Sequence, residues 1–77
     1  MNNRTIIYNI HRDIWKLTEK YGYEELTEEQ WKQFCEDGFA LQAKYRKVSR
    51  NMELIFRDEF GAMQSYYERM KEENPDV

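Results

Sequence analysis

The side chains in this chain best suited to acid, base or nucleophilic chemistry are a lone histidine and a lone cysteine. His11 is the only histidine and Cys35 the only cysteine among 77 residues. A catalytic base needs a nucleophile or an acid within reach, and no motif near His11 supplies one. Cys35 falls on the apolar side of a predicted helix, which favours a small core residue over a reactive thiol. We therefore expect no enzyme activity.

Metal and cofactor sites are also not expected. A structural zinc site needs about four Cys or His ligands, and His11 with Cys35 supplies two at most. The four glutamates in residues 24–29 surround a predicted helix start, where the helix dipole favours negative charge without any metal. The sequence predicts no bound metal, no cofactor and no small-molecule substrate.

One basic segment, residues 44–50, could contact phosphate groups. Lys44, Arg46, Lys47 and Arg50 place four positive charges around a tyrosine, as some nucleic-acid-binding segments do. The net charge of −3 at pH 7 opposes this function, because the rest of the surface would repel nucleic acid. We interpret the segment as a helix end, and a nucleic-acid-associated accessory factor remains the alternative function.

An amphipathic helix is predicted at the start of the chain. Its apolar residues alternate at spacings of three and four, which places them on one helical stripe. They are Ile7, Ile10, Ile14, Leu17 and Tyr21. Gly22 follows the last of them and can adopt the left-handed conformation that ends a helix. We predict helix 1 over residues 4–21.

The clearest local signal marks the start of a second helix. Thr27 can cap it, and Gln30 three residues later can complete a capping box. Leu26 and Trp31 stand at the two positions of a hydrophobic staple. We predict helix 2 over residues 27–48.

The apolar spacing alone does not decide whether helix 2 continues to about residue 73. One continuous helix would be about 70 Å long, which is too long for a compact monomer of this size. Acids dominate residues 24–37 and bases dominate residues 38–50, as in a helix that complements its own dipole and then ends. We therefore predict a third helix over 51–73, capped by Asn51 or Ser49.

Folding the chain back near Ser49 would form an antiparallel hairpin of helices 2 and 3, with helix 1 packed across it. Gly38 and Gly61 are equally distant from this junction, so we predict that they lie opposite each other. The same register pairs Phe34 with Tyr66. The expected fold is a single all-α domain, residues 1–77, with a polar tail at 74–77.

The chain has more large apolar side chains than one stripe on each helix can bury. The surplus comprises Trp15, Phe39, Phe56, Phe60, Met63, Tyr67 and Met70. Interfaces are enriched in aromatic residues and methionine. Two interpretations remain open, namely a wide three-helix core and a protein-binding or dimer face.

Size and cysteine content bear on self-association and location. A chain this short has a marginal core and commonly needs a disulfide, a metal or self-association. One cysteine permits no internal disulfide and is typical of a reducing compartment. The chain has no apolar run long enough for a membrane span, and its polar start lacks the apolar stretch of a signal peptide. We expect a cytoplasmic homodimer that binds no membrane.

Three short motifs carry a resemblance to known proteins. They are Trp31-x-x-Phe34, Ala43-Lys44-Tyr45 and Tyr66-Tyr67-Glu68. In a short acidic helical chain, they resemble small uncharacterised all-α proteins of Gram-positive prophages and mobile elements, over about residues 27–73. The resemblance implies a mobile-element context and no active site. The expected function is a helical protein–protein interaction module, which in that context would be an accessory or inhibitor protein.

Overall fold

The computed structural model describes residues 2–73 as three α-helices. They are α1 (Asn3–Tyr21), α2 (Glu28–Arg46) and α3 (Arg50–Glu73). This confirms the predicted all-α fold, and every helix end lies within two residues of its predicted position. The predicted polar tail, residues 74–77, lies outside the described residues.

Local sequence signals set the ends of α1 and the start of α2. Asn2 caps α1 by accepting a hydrogen bond from the Thr5 amide at 2.9 Å. Gly22 ends the helix with a φ of 74°, in the left-handed region that glycine adopts without strain. Thr27 and Gln30 form both hydrogen bonds of the predicted capping box, so two backbone donors at the start of α2 are satisfied.

A tight turn separates α2 from α3. The Ser49 and Val48 amides both donate to the carbonyl of Tyr45, which closes the end of α2. Ser49 Oγ accepts from the Met52 amide at 3.1 Å and so caps α3. Of the two predicted caps, Ser49 is the one used. The predicted hairpin is confirmed.

The three helices form a rod of about 50 × 19 × 18 Å. Since α2 runs antiparallel to both neighbours, α1 and α3 run in the same direction. His11 of α1 contacts Glu59 of α3, and farther along both helices Tyr67 donates to the Gly22 carbonyl at 2.6 Å. We call the end with the α2–α3 turn the turn end, and the other the open end.

The face of α3 that packs on α2 differs from the prediction. Gly38 faces the ring of Phe60, and a Cβ placed on Gly61 would have no neighbour within 4 Å. The Phe34 ring contacts the rings of Phe60 and Tyr67, at centroid distances of 5.2 and 5.0 Å. The predicted pairing of the two glycines was therefore wrong. Neighbouring residues of a helix point about 100° apart, and the line of α3 that faces α2 is the one that contains Phe56, Phe60 and Tyr67, with the two helices folding back at the predicted point.

The face that α3 presents to α2 also corrects the predicted partner face. Phe56, Phe60 and Tyr67 are at most 3% exposed and belong to the core. The core also contains Ile10, Ile14, Leu17, Phe34, Tyr45 and Met52. Three of the seven predicted interface residues are therefore used inside the chain: Phe60 fills the space beside Gly38, and Phe56 and Tyr67 pack on rings of α2.

Candidate functional site

The outward side of α1 carries the two most exposed large apolar side chains of the described residues. Trp15 is 60% exposed and Tyr8 is 62% exposed. We define the α1 outer face as the exposed residues Arg4, Tyr8, Arg12, Trp15 and Glu19. Their spacings of three and four place them on one stripe, opposite the Ile10–Ile14–Leu17 stripe that enters the core.

Trp15 borders a shallow apolar groove between α1 and α3. Its ring lies 6.2 Å from the ring of Tyr23, centroid to centroid. Ala62 and Met63 form the α3 side of the groove. Thr18 anchors the Tyr23 side chain, since the two hydroxyls are 3.0 Å apart. The groove can therefore offer a fixed apolar surface to another molecule.

His11 and Glu59 lie on the border of the same groove and form an ion pair when the histidine is protonated. His11 Nδ1 is 2.5 Å from Glu59 Oε1, and the histidine side chain is 57% exposed. The pair links α1 to α3 and gives the groove one polar border.

The other members of the predicted partner face do not join this groove. Phe39 is 57% exposed but lies on α2, with its ring edge against Phe60 at 5.8 Å. Met70 is half-buried on the last turns of α3. Of the seven residues predicted, only Trp15 and Met63 line one surface together.

The predicted basic segment is partly neutralised within the chain, because three of its four cations form ion pairs with internal carboxylates. Arg46 Nε lies 2.9 Å from Glu53 Oε2, and Arg50 Nη1 lies 3.0 Å from Glu53 Oε1. Lys44 Nζ lies 3.0 Å from Asp13 Oδ2. Within residues 2–73, Lys47 is the one cation of the four without an ion pair. Two carboxylates therefore offset about half of the positive charge of the segment.

Glu53 is the centre of this arrangement. It is 2% exposed, and Gln42 Nε2 also donates to its Oε2 at 3.1 Å. Hydrogen bonds from Gln42 and Arg46 hold the pKa of Glu53 at about 2, well below its usual 4.5. The carboxylate is therefore ionised at neutral pH and joins the end of α2 to the start of α3.

Two lysine–tyrosine dipeptides hold α1 and α2 together in a reciprocal way. Lys44 and Tyr45 of α2 both donate to Asp13 Oδ2 of α1, at 3.0 and 2.6 Å. Lys20 and Tyr21 of α1 both donate to Asp37 Oδ2 of α2, at 2.9 and 2.7 Å. We call these two contacts the Lys-Tyr clasps.

The clasps keep both aspartates charged. Burial opposes ionisation of Asp13, but hydrogen bonds from Tyr45 and Lys44 outweigh it and lower the pKa. Hydrogen bonds from Tyr21, Lys20 and Gln33 lower the pKa of Asp37 to about 2. We did not predict these contacts from the sequence. The signal that could have revealed them is the Lys-Tyr dipeptide, which occurs at 20–21 and again at 44–45.

An acidic cleft of about 310 Å³ lies at the open end. Leu26, Trp31 and Tyr67 are its apolar lining. Four glutamates and one lysine also line it, namely Glu25, Glu28, Glu68, Glu72 and Lys71. The cleft lies in the half of the rod where acidic residues outnumber basic ones.

The two halves of the rod carry opposite charge. The turn-end half, residues 2–17 and 40–61, has eight bases and four acids. The open-end half, residues 18–39 and 62–73, has four bases and ten acids. Trp15 and Ala62 lie near the boundary between these halves. The apolar groove is therefore located between a basic half and an acidic half.

Residues 2–73 contain no cluster of three or more His, Cys, Asp or Glu side chains placed to hold a metal ion. Over the same residues, no helix is both long and apolar enough to cross a membrane. No protein family, curated protein or solved structure matches the chain.

Proposed function

We propose that this chain is a helical protein–protein interaction module that binds its partner through Trp15 and the neighbouring α1–α3 groove. The observation that carries the proposal is the 60% exposure of Trp15 beside an apolar groove. Exposed aromatic residues next to apolar grooves are typical of protein-binding surfaces. Such a module acts by occluding or scaffolding another protein.

The core does not explain the position of Trp15. Nine buried apolar side chains already form one continuous cluster without it. The Trp15 ring contacts the ring of Tyr23, and 60% of the residue is exposed to solvent. Exposing a ring of this size costs free energy in water, at about 25 cal/mol per Å² of apolar surface. A partner that covers the ring would recover that free energy.

Site-specific crosslinking tests this function. A photoreactive phenylalanine analogue at position 15 should capture a protein in the native cell. The matched control carries the same group at position 36, since Glu36 is exposed on α2 and does not line the groove. Equal capture from positions 15 and 36, or none from either, would contradict the proposal.

The nucleic-acid alternative depends on free cations in the segment 44–50. The ion pairs of Lys44, Arg46 and Arg50 with internal carboxylates weigh against it. If it is correct, binding to labelled DNA or RNA should weaken steeply as salt is raised. Binding should then also be lost when Lys47 and its three neighbouring cations are changed to alanine.

A further inference from the structure

We propose that the α1 outer face binds the same face of a second copy of this chain, with the two α1 helices antiparallel about a two-fold axis between Trp15 and Lys16. This inference rests on the proposed interaction function and names its partner. In such an isologous contact, each residue meets its counterpart at an equal distance on the other side of the axis. The sequence of the outer face can therefore be checked for self-complementarity.

The charged residues of the α1 outer face are arranged so that opposite charges meet when the face pairs with a second copy of itself. Arg12 and Glu19 lie on opposite sides of the proposed axis, at nearly equal distances from it. The two residues are about 10 Å from each other along α1. An antiparallel copy brings Arg12 opposite Glu19 of the partner subunit, and symmetry repeats the pair. Neither residue has an ion pair within residues 2–73. Both residues are exposed, and their contacts within the chain are weak: the Tyr23 hydroxyl lies 3.4 Å from Glu19 Oε1, and the Arg12 guanidinium lies 5.9 Å from the Tyr8 ring centroid.

The charge of the whole rod favours the same orientation. An antiparallel neighbour places the basic turn-end half of one copy beside the acidic open-end half of the other. A parallel neighbour would place like charges together, which is unfavourable. The excess of four positive charges in one half and six negative charges in the other therefore selects the antiparallel arrangement.

The centre of this contact is apolar. Trp15 lies next to the proposed axis, so two Trp15 rings come together there and are shielded from water. Ala62 is exposed beside them and allows close approach. The apolar centre and the charged pairs on either side match the usual organisation of a protein interface, with a hydrophobic core and a polar rim.

A charge-swap experiment tests the arrangement by sedimentation over a concentration series. Arg12→Glu and Glu19→Arg should each weaken self-association by about tenfold or more, since each creates two like-charge contacts per dimer. The double variant R12E/E19R should restore it to within about threefold of the parent chain, because the pairs form again with reversed sign. Trp15→Ala should abolish self-association.

Glu36→Arg is the matched control for Glu19→Arg. It makes the same charge change on the outward side of α2, and self-association should change by no more than about twofold. Far-UV circular dichroism of each variant verifies that the helices remain folded. All substituted positions are exposed, so loss of folding is not the expected cause of any change.

Two results would overturn the inference. A parent chain that stays monomeric at high micromolar concentration rules out the second copy as partner. Self-association that R12E/E19R fails to restore rules out the antiparallel pairing. If position 15 still crosslinks another protein in a monomeric chain, the interaction function stands and only the self-association fails.

Discussion

Gly38 of α2 lies directly against the aromatic ring of Phe60 in α3, so closely that a methyl group added at Gly38 would overlap the ring. The ring cannot easily move aside. Phe34, Phe39 and Phe56 surround it at centroid distances of 5.2 to 5.8 Å, and Phe60 is 1% exposed. This contact sets how closely α2 and α3 approach.

Gly38→Ala should therefore destabilise the fold by about 1–3 kcal/mol, because overpacking outweighs the better helix propensity of alanine. Gly61→Ala is the matched control, since nothing lies within 4 Å of its added Cβ. It should stabilise the fold by about 0.5–1 kcal/mol through helix propensity alone. Urea unfolding followed by circular dichroism measures both changes. Equal effects at the two glycines would contradict the register described here.

Glu53 should make stability depend on pH in the acid range. Its pKa is about 2 in the folded chain, against a usual value of 4.5. A lowered folded-state pKa contributes stability above the unfolded pKa, and that stability is lost as pH falls through the folded value. The free energy of unfolding should therefore fall between pH 5 and about 2. Glu53→Gln should make that fall smaller.

Glu36→Gln is the control for this pH series, because the Glu36 side chain is exposed. It should leave the acid dependence as it is in the parent chain. Asp37 also has a pKa of about 2, so some acid dependence should persist in Glu53→Gln. If both glutamine variants respond to acid in the same way as the parent chain, the ion pairs of Glu53 do not stabilise the fold.

Tyr45→Phe should destabilise the chain by about 1–2 kcal/mol, because it removes a hydrogen bond to a carboxylate. The Tyr45 hydroxyl lies 2.6 Å from Asp13 Oδ2, and the tyrosine is 2% exposed. The ring packing on Phe56 is retained in the variant. Tyr8→Phe removes a hydroxyl from an exposed ring and should change stability by less than about 0.5 kcal/mol. Thermal unfolding distinguishes the two variants.

Thr27→Ala should cost about 1 kcal/mol, because it removes the side-chain acceptor that caps α2. The backbone N–H of Gln30 lies 3.1 Å from Thr27 Oγ1 and would lose this hydrogen-bond acceptor. Thr27→Ser keeps the acceptor and should retain nearly all of the parent stability. A Thr27→Ala chain as stable as Thr27→Ser would mean that solvent satisfies the amide equally well.

Local signals predicted most of this fold. The capping box at Thr27, Gly22 after α1 and the separation of acids from bases along α2 each depend on residues close in sequence. The choice of which face of α3 packs on α2 does not depend on such local residues. Two apolar lines on α3 were equally able to face α2, and the choice between them depends on how the Phe60 ring fits beside Gly38. That fit is a property of the assembled bundle.

The candidate site was predicted only in part. Trp15 was predicted as a surface aromatic and is one, since it lies off the Ile10–Ile14–Leu17 stripe. The proposed pairing of Arg12 with Glu19 was not predicted, because isolated charges on a helix usually indicate only a solvated face. The neutralisation of Arg46 by Glu53 was missed as well. It requires two helices to fold back on each other before the two side chains can meet.

The positions of the two tryptophans have an optical consequence. Trp15 is largely exposed, whereas Trp31 is half-buried and stacks on Phe34 of the core at 6.0 Å. Fluorescence from Trp31 should therefore change when the bundle unfolds, and fluorescence from Trp15 should change when a partner covers its ring. Replacing one tryptophan at a time with phenylalanine leaves a chain whose emission reports mainly one of these two events.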